Sequence, residues 1–329
     1  METSIPQRPF GKTGIDVTEV SLGSLFISEW FGTQRDDGLQ VIHGALDRGI
    51  NYIDTAPFYG NAQQLLGEAL HGRPEQPYIG TKCGRWDYRT GPYRSLDAFK
   101  QQFETTLTDL RRDAVDILYI HEADWYTFWE DVPVPRATPS IALDKQYDYA
   151  SAPVVQFLHW AKEQRLTRFV GLAGNNADLI AKVLREISIE IDAVLIAYQY
   201  SLIWRNAVAY LSRLTQAKEV ALVIGTPFQQ GRLAVPRPEW LTAPPAWMDD
   251  DTRDRFQELY RIQQERGLSL AELGLRFLLS DPAIACVIPG AANLTQLEEN
   301  VRCATAGPLP ERMYNQIVAL GKVFPDRYY

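Results

Sequence analysis

Short apolar runs alternate along the chain with longer stretches in which apolar residues recur at helical spacing. The apolar runs predict strands at 19–23, 52–54, 78–82, 115–121, 169–173, 193–197, 221–225 and 285–288. The helical spacing predicts helices at 36–48, 62–70, 95–110, 152–164, 177–187, 205–218, 252–265, 269–279, 294–304 and 309–320. The pattern therefore contains eight strand–helix units.

Strands that alternate with helices in this way form parallel sheets with right-handed crossovers. Eight units in a chain of this length predict an α/β protein with a closed (β/α)₈ barrel, the TIM barrel, as one domain over residues 1–329. Gly11 and Gly14 predict a β-hairpin before the barrel, and 309–320 is an extra C-terminal helix. An open doubly wound sheet is the alternative. It calls for a Gly-x-Gly-x-x-Gly turn after the first strand, where the sequence has Gly23 alone.

Two segments, 122–151 and 232–251, are longer than the barrel needs and are rich in proline and aromatic residues. Both follow strands at the face where barrel enzymes hold their active sites. They are therefore predicted to be lids or substrate walls. Simple packing of the loop against the barrel is the alternative.

Charge and cysteine usage narrow the possible functions. The net charge is −8, the pI is near 5.2, and no run of Lys or Arg occurs, so neither nucleic acid nor an anionic membrane is an expected partner. No export signal precedes the first strand, and no apolar run approaches membrane length. The three cysteines and four histidines show no metal-binding spacing. We expect a cytoplasmic protein that acts on a small molecule without a metal.

Ionisable residues stand at the ends of three neighbouring predicted strands. Asp54 ends the second strand and is followed by Tyr59, Lys82 ends the third, and His121 ends the fourth. Each alone fits a structural role: Asp54 as a helix cap, Tyr59 as a core aromatic, Lys82 as a snorkelling amine, His121 as a hydrogen-bonded core side chain. All strand ends of a parallel barrel meet at one mouth, so their convergence favours an active site.

The group is suited to proton transfer by Tyr59. A tyrosine has a pKa near 10, and a neighbouring Lys82 ammonium is expected to lower it. Asp54 would keep Lys82 charged and oriented, and His121 would hydrogen-bond the substrate oxygen. A group that protonates an alkoxide implies hydride transfer and hence a nicotinamide cofactor.

The sequence resembles the aldo-keto reductase family over nearly its whole length. The resemblance is carried by Leu22-Gly23, Ile53-Asp54-Thr55-Ala56-x-x-Tyr59-Gly60, Thr81-Lys82, Asp116 to His121, and Ile288-Pro289-Gly290 through Glu299-Asn300. It implies a catalytic tetrad of Asp54, Tyr59, Lys82 and His121. It further implies NADP or NAD bound across the barrel mouth by Gly23, Ser24, Asp54, Tyr200, Thr226, Phe228, Gly231, Leu233, Gly290, Asn293, Gln296, Glu299 and Asn300, with Tyr200 stacked on the nicotinamide.

Some positions depart from the family pattern. Ala173-Gly174 and Ala197 stand where many members hold the carboxamide of the cofactor, so Asn175 or Asn176 is expected to substitute. Ala292 stands where NADP-preferring members often have Arg, so an NADP preference is not assumed, with compensation by Arg302 or a distant basic residue as the alternative. The segments 197–202 and 225–234 resemble the branch of L-fucose, D-threo-aldose and pyridoxal dehydrogenases.

The resemblance implies a small-molecule carbonyl substrate, and the tryptophans favour a sugar or a related polyhydroxylated compound. Trp86 and Trp125 are the predicted substrate contacts beside Tyr59 and His121, and Trp129, Trp240 and Trp247 are expected to complete an aromatic rim. A general aldehyde or ketone reductase is the second possibility. A cofactor-binding regulatory subunit, as in potassium-channel β subunits, is the third. Either a monomer or a small homo-oligomer fits the family.

Overall fold

A computed structural model describes residues 4–131 and 136–325. The chain begins with an antiparallel hairpin of β1 (Gln7–Pro9) and β2 (Asp16–Thr18). Its turn contains Gly11 and Gly14, both at positive φ, as the spacing predicts. Phe10 packs against Tyr52 with ring centroids 5.6 Å apart, so the hairpin closes the amino-terminal end of the sheet interior.

Eight parallel strands follow in chain order and form the predicted barrel. They are β3 (Leu22–Gly23), β4 (Tyr52–Asp54), β5 (Tyr78–Cys83), β6 (Val115–Ile120), β7 (Thr167–Gly174), β8 (Ala193–Ala197), β9 (Ala221–Gly225) and β10 (Cys286–Ile288). The first and last strands meet through Ser21 N to Val287 O at 2.9 Å and Gly23 N to Pro289 O at 3.1 Å. These bonds nearly close the sheet on itself.

The helices surround the barrel. They are α1 (Arg35–Asp47), α2 (Ala62–Leu70), α3 (Leu96–Leu110), α4 (Pro153–Glu163), α5 (Ala177–Glu186), α6 (Arg213–Ala217), α7 (Glu239–Thr242), α8 (Asp250–Arg266), α9 (Leu270–Leu279), α10 (Leu294–Thr305) and the C-terminal α11 (Glu311–Ala319). Side-chain caps on the first free amides begin several of them, such as Ser95 on α3 and Asn293 on α10.

Helix α6 differs from its prediction in its first turns, because Val208–Ser212 forms a wider π-helix ahead of it. Nothing in the spacing of apolar residues over 205–218 marks this change. Among the described residues, no helix is both long and apolar enough to cross a membrane.

The two long loops use their tryptophans for packing. Trp125 and Trp129 are buried, and Trp129 Nε1 donates to Ala123 O at 2.8 Å. Trp240 and Trp247 pack on each other and on Phe256 of α8. None of these four tryptophans lines the cavity at the barrel mouth that is described below, so the predicted aromatic rim is not formed there by the described residues. Residues 132–135 of the first loop lie outside the described residues.

Close approach of α2 to the end of α3 requires a glycine at position 67. A Cβ there would lie 2.1 Å from the backbone oxygen of Asp109, whereas a Cβ on Gly274 of α9 would be 3.7 Å from its nearest neighbour. We expect Gly67→Ala to lower the free energy of unfolding by ~1–3 kcal/mol through overpacking. Gly274→Ala should leave it unchanged or raise it by up to ~1 kcal/mol, since alanine favours helix.

Urea or thermal denaturation of both variants measures the difference. Equal stability of Gly67→Ala and Gly274→Ala would contradict the packing described here.

Candidate active site at the carboxyl ends of the strands

A buried ion pair joins two neighbouring strands at the mouth of the barrel. Lys82 of β5 donates from Nζ to Asp54 Oδ1 at 2.6 Å and to Thr55 O at 2.9 Å. The two charged side chains are 1% and 3% exposed. Asp54 pairs with Gly80 across the parallel strands β4 and β5, and Lys82, two residues further along β5, is on the same face of the sheet as Gly80, so its long side chain reaches the carboxylate. Removing one partner of such a pair typically costs ~3–5 kcal/mol, since it leaves a buried charge without compensation.

The pair keeps Lys82 cationic. Burial by itself would lower the pKa of Lys82, but the charges of Asp54 and Tyr59 outweigh it and the pKa is raised. For Asp54, burial raises the pKa and the Lys82 charge opposes that rise. Among the described residues nothing bonds Asp54 Oδ2.

Tyr59 stands over the lysine in the turn after β4. Pro57 ends the extended segment, and Tyr59 N donates to Ala56 O at 3.0 Å. The Lys82 Nζ is 4.7 Å from the centroid of the Tyr59 ring. The ring of His121 lies at 85° to that of Tyr59, with centroids 5.8 Å apart. The four predicted catalytic residues are thus brought together.

The pKa of Tyr59 runs against the expectation from the sequence. Burial of the phenol raises it, and the attraction of Lys82 only partly offsets this, so the pKa lies above its ordinary value rather than below it. The expected lowering is wrong because it counted the ammonium and omitted the loss of water around the phenolate. Tyr59 therefore holds its proton at neutral pH.

His121 is neutral. Burial lowers its pKa well below the ordinary value, and the charges of Lys82 and Arg85 lower it further. Its backbone N donates to Cys83 O at 3.0 Å, which ties the end of β6 to that of β5. Its Nδ1 is buried without a hydrogen-bond partner among the described residues.

A cavity of about 430 Å³ opens between these residues. Its walls combine aromatic rings with polar side chains. They comprise Leu25, Trp30, Phe31, Phe58, Tyr59, Lys82, Arg85, His121, Glu122, Ala173, Gly174, Asn175, Leu195, Ala197, Tyr198, Thr226 and Gln230. Of the two asparagines expected to substitute at the carboxamide, Asn175 lines the cavity, whereas Asn176 is buried and donates to Asp124 at 2.6 Å.

The predicted substrate contacts Trp86 and Trp125 do not line this cavity. Trp86 packs on Tyr93 and Phe99, and Trp125 is 3% exposed behind the Arg85 side chain. Their rings serve the core instead.

Tyr200 is likewise absent from the cavity. It is buried against Phe277, and its hydroxyl donates to Asp281 Oδ2 at 2.7 Å. Tyr198, two residues earlier, lines the cavity and accepts a bond from Gln230 Nε2 at 2.7 Å. Of these two tyrosines, only Tyr198 lines the cavity, whereas the residue predicted from the sequence is Tyr200. Tyr198 follows the end of β8 in a left-handed conformation, with a φ of 64°, which the spacing of apolar residues does not reveal.

A second cavity, also about 430 Å³, continues from the first and shares Thr226 and Gln230 with it. Most residues predicted to hold a cofactor line it, namely Thr226, Phe228, Gly231, Gly290, Gln296, Glu299 and Asn300. Leu233 and Asn293 do not: Leu233 is buried in the core, and the Asn293 side chain caps α10. Gly23 and Ser24 stand at the end of β3, where Ser24 Oγ is buried without a partner among the described residues.

Backbone strain concentrates at the first cavity. Eight non-glycine residues in the described part of the chain have positive φ, and Glu122, Tyr198, Thr226 and Gln230 among them line this cavity. Such conformations persist where surrounding structure enforces them, and they cluster at functional sites.

Sequence reasoning missed Arg85, Glu122, Tyr198 and Phe58. Arg85 and Glu122 follow strand ends, as Lys82 and His121 do, so the strand-end rule extended by a few residues would have found them. Tyr198 had no such signal, because its orientation depends on a left-handed backbone turn.

Comparison with known proteins identifies the family of this chain. The model of the Aldo/keto reductase family matches residues 19–322. L-galactose dehydrogenase of Arabidopsis thaliana is 26% identical over 310 residues, covering 92% of this chain and 89% of the relative. Pyridoxal 4-dehydrogenase of Microbacterium luteolum is 27% identical, covering 90% and 92%.

Among solved structures, the holo form of an aldo-keto reductase from Bacillus halodurans superposes with a TM-score of 0.74 over 98% of this chain and 99% of its own. At 22% identity this likeness bears on the fold. From the family match over nearly its whole length, the chain is a member of the aldo/keto reductase family.

Proposed function

We propose that this protein is an NAD(P)-dependent oxidoreductase that interconverts a carbonyl and an alcohol, or a sugar hemiacetal and a lactone, with Tyr59 as general acid and base. The observation that carries the proposal is the meeting of Tyr59, Lys82 and His121 at one cavity, with Asp54 buried behind Lys82. Membership of an oxidoreductase family supports the reaction class.

Each residue has a role that follows from its surroundings. In reduction, the protonated Tyr59 hydroxyl donates its proton to the carbonyl oxygen, and in oxidation it takes the proton of the hydroxyl. Lys82 stabilises the phenolate that remains after donation, and Asp54 holds Lys82 in place. Neutral His121 donates a ring N–H to the substrate oxygen and orients it toward Tyr59.

The second cavity fits the remainder of a dinucleotide. It continues from the catalytic cavity and ends at the amino terminus of α10, where free backbone amides favour negative charge. Ser24 Oγ, which is buried and has no partner within residues 4–131 and 136–325, supplies a further polar group at the strand ends. Thr226, Phe228, Gly231 and Asn300 would hold the cofactor, which when bound supplies or accepts the hydride.

We propose a sugar or similar polyhydroxylated compound as substrate. Polar side chains of Arg85, Glu122, Asn175 and Gln230 line the cavity together with the aromatic rings of Trp30 and Phe58. Such a mixture suits a ligand with hydroxyl groups on one side and C–H groups on the other. The relative from Arabidopsis acts, by its name, on L-galactose.

A general aldehyde substrate is the second candidate, because Trp30, Phe31 and Phe58 give one wall a mainly aromatic surface. Assay of an aldose panel against aromatic aldehydes, each with NAD(H) and NADP(H), distinguishes the two. The sugar proposal requires kcat/KM to be higher for at least one aldose than for every aromatic aldehyde.

Replacing Tyr59 with Phe removes the proposed proton donor and little else. We expect kcat to fall by about 10²–10⁴-fold, the range of general acid–base catalysis, with cofactor affinity nearly unchanged. Tyr88→Phe is the matched control, since it deletes a hydroxyl that bonds Ala137 O outside the cavity. Steady-state kinetics and fluorescence titration with NADH and NADPH measure the two quantities. Full activity in Tyr59→Phe would refute the proposal.

The neutral state of His121 predicts a pH dependence of stability. A histidine in the unfolded chain has a pKa of about 6.5, whereas that of His121 is well below it. Below about pH 6.5, the unfolded chain therefore binds a proton at position 121 that the folded protein does not bind. Stability present above about pH 6.5 is therefore lost as the pH falls, by at most ~1.4 kcal/mol per pH unit.

Melting temperatures between about pH 7.5 and 5.5 test this. They should fall more steeply for the parent than for His121→Gln, while replacement of the exposed His159 with Gln should leave the slope unchanged. Identical slopes in all three proteins would show that His121 is not held neutral.

The second cavity predicts a preference for NAD over NADP. Among its described lining residues are the Glu299 carboxylate and no Lys or Arg, and Arg302 nearby pairs with Glu272 at 3.0 Å. We expect NADH to bind more tightly than NADPH. Ala292→Arg should raise the affinity for NADPH about tenfold, because a bond to a charged group contributes ~1.5–3 kcal/mol.

Fluorescence titration with both nucleotides measures this preference. Ala306→Arg adds the same charge at an exposed position outside the cavity and serves as the control. Tighter binding of NADPH by the parent, or an equal effect of the two variants, would contradict the prediction.

A further inference from the structure

We propose that Arg85 and Glu122 recognise two neighbouring hydroxyl groups on an uncharged substrate, and that the site discriminates against phosphorylated or carboxylated analogues. The inference rests on the proposed function and names the substrate class of the same cavity. It is carried by the placement of one cation and one anion side by side on the cavity wall, next to His121.

Arg85 is held in place by aromatic rings. Its guanidinium lies over Phe58 at 4.6 Å and over Trp125 at 4.4 Å from the ring centroids. This stacking uses the faces of the guanidinium and leaves its N–H groups directed outward along the edge. Among the described residues, no hydrogen bond occupies its terminal nitrogens; the Nε is 3.4 Å from Glu122 Oε1. That distance exceeds a good hydrogen bond, so a substrate oxygen can compete for Arg85.

Glu122 is held in place by its backbone and by an amide. Its φ of 64° turns the side chain of the residue after His121 into the cavity. Its Oε2 accepts from Asn175 Nδ2 at 2.7 Å. Each carboxylate oxygen accepts more than one hydrogen bond, so a substrate hydroxyl can bond Glu122 beside Asn175. A left-handed glutamate next to a catalytic-site histidine is typical of a side chain whose position serves function.

The charges at the cavity are balanced in pairs. Lys82 and Arg85 are the cations among the described residues that line the cavity, and each has a carboxylate as its counter-charge, Asp54 for Lys82 and Glu122 for Arg85, so a phosphate or carboxylate would bring a negative charge that no lining cation is left to balance. Asp124 lies behind Glu122, and the negative charge of Glu122 adds to burial in raising the pKa of Asp124. An anionic substrate would meet the same repulsion.

Two neighbouring hydroxyl groups can bond Arg85 and Glu122 at the same time. One hydroxyl donates its proton to Glu122, and the next accepts an N–H from Arg85. A hydroxyl group offers both functions, whereas an aldehyde without hydroxyls would leave the two charged groups with no substrate partner. The position beside His121 places these hydroxyls next to the reacting carbon.

Three small aldehydes isolate the effect: glyceraldehyde, with hydroxyls on both carbons after the carbonyl; propanal, with none; and glyceraldehyde 3-phosphate. We expect the parent to prefer glyceraldehyde to either of the others by at least about tenfold in kcat/KM. Glu122→Gln and Arg85→Met should each lower kcat/KM for glyceraldehyde about tenfold, chiefly through KM, and change that for propanal little.

Glu186→Gln is the control. It removes the charge of a glutamate that pairs with Lys182 at 2.7 Å on α5, away from the cavity. Glu186→Gln should leave kcat/KM unchanged for all three aldehydes. If the Glu122 and Arg85 variants lose kcat/KM equally for propanal and for glyceraldehyde, the two residues have a structural role and the proposal is overturned. If the parent prefers glyceraldehyde 3-phosphate, and Glu122→Gln increases that preference, the proposal is overturned in favour of an anionic substrate.

A binding measurement separates this proposal from the proposed function. Saturation-transfer NMR with glycerol requires no turnover, and its signal should weaken in Glu122→Gln but persist in Glu186→Gln. Loss of turnover on every aldehyde together with this pattern would reject the proposed reaction and retain the hydroxyl site. An equal glycerol signal in parent and Glu122→Gln would reject the hydroxyl site whatever the activity.

Discussion

The active-site architecture depends on one buried ion pair, between Asp54 and Lys82. Two charges that are almost fully removed from water are stable only when each compensates the other and further hydrogen bonds complete their shells. The barrel meets this condition because β4 and β5 are adjacent and parallel, so that Lys82, two residues beyond the Gly80 that pairs with Asp54, is on the same face of the sheet, and Thr55 O supplies the additional acceptor. The pair in turn keeps a positive charge beneath the Tyr59 ring, where proton transfer would use it.

Desolvation sets the protonation states around this pair. It raises the pKa of Tyr59 and lowers that of His121, so both groups are uncharged while Lys82 remains an ammonium. In the proposed reaction, the protonated phenol and the neutral imidazole are the two donors for one substrate oxygen. The family's reaction class is consistent with such a pair of donors, and no charged donor is required at the substrate.

Some aromatic residues pack within the protein, and others line the cavity. Trp125 and Trp129 of the first long loop are buried, and Trp240 and Trp247 of the second pack on Phe256 of α8, whereas Trp30 and Phe58 line the candidate catalytic cavity from the segments after β3 and β4. Trp125 takes part indirectly, since its ring supports the guanidinium of Arg85. Loop length and aromatic content therefore did not indicate which rings reach the cavity.

The sequence by itself determined the barrel, the order of its strands and the convergence of the ionisable residues. Hydrophobic periodicity is local, and parallel strands with right-handed crossovers allow few topologies, so strands such as β8 and β9 have their predicted bounds. The tertiary structure decided the direction of the Tyr59 pKa, the position of Tyr198 rather than Tyr200 at the cavity, and the packing of Trp86 and Trp125 away from it. These depend on desolvation, on left-handed turns and on packing between segments distant in sequence, none of which leaves a periodic signal in the chain.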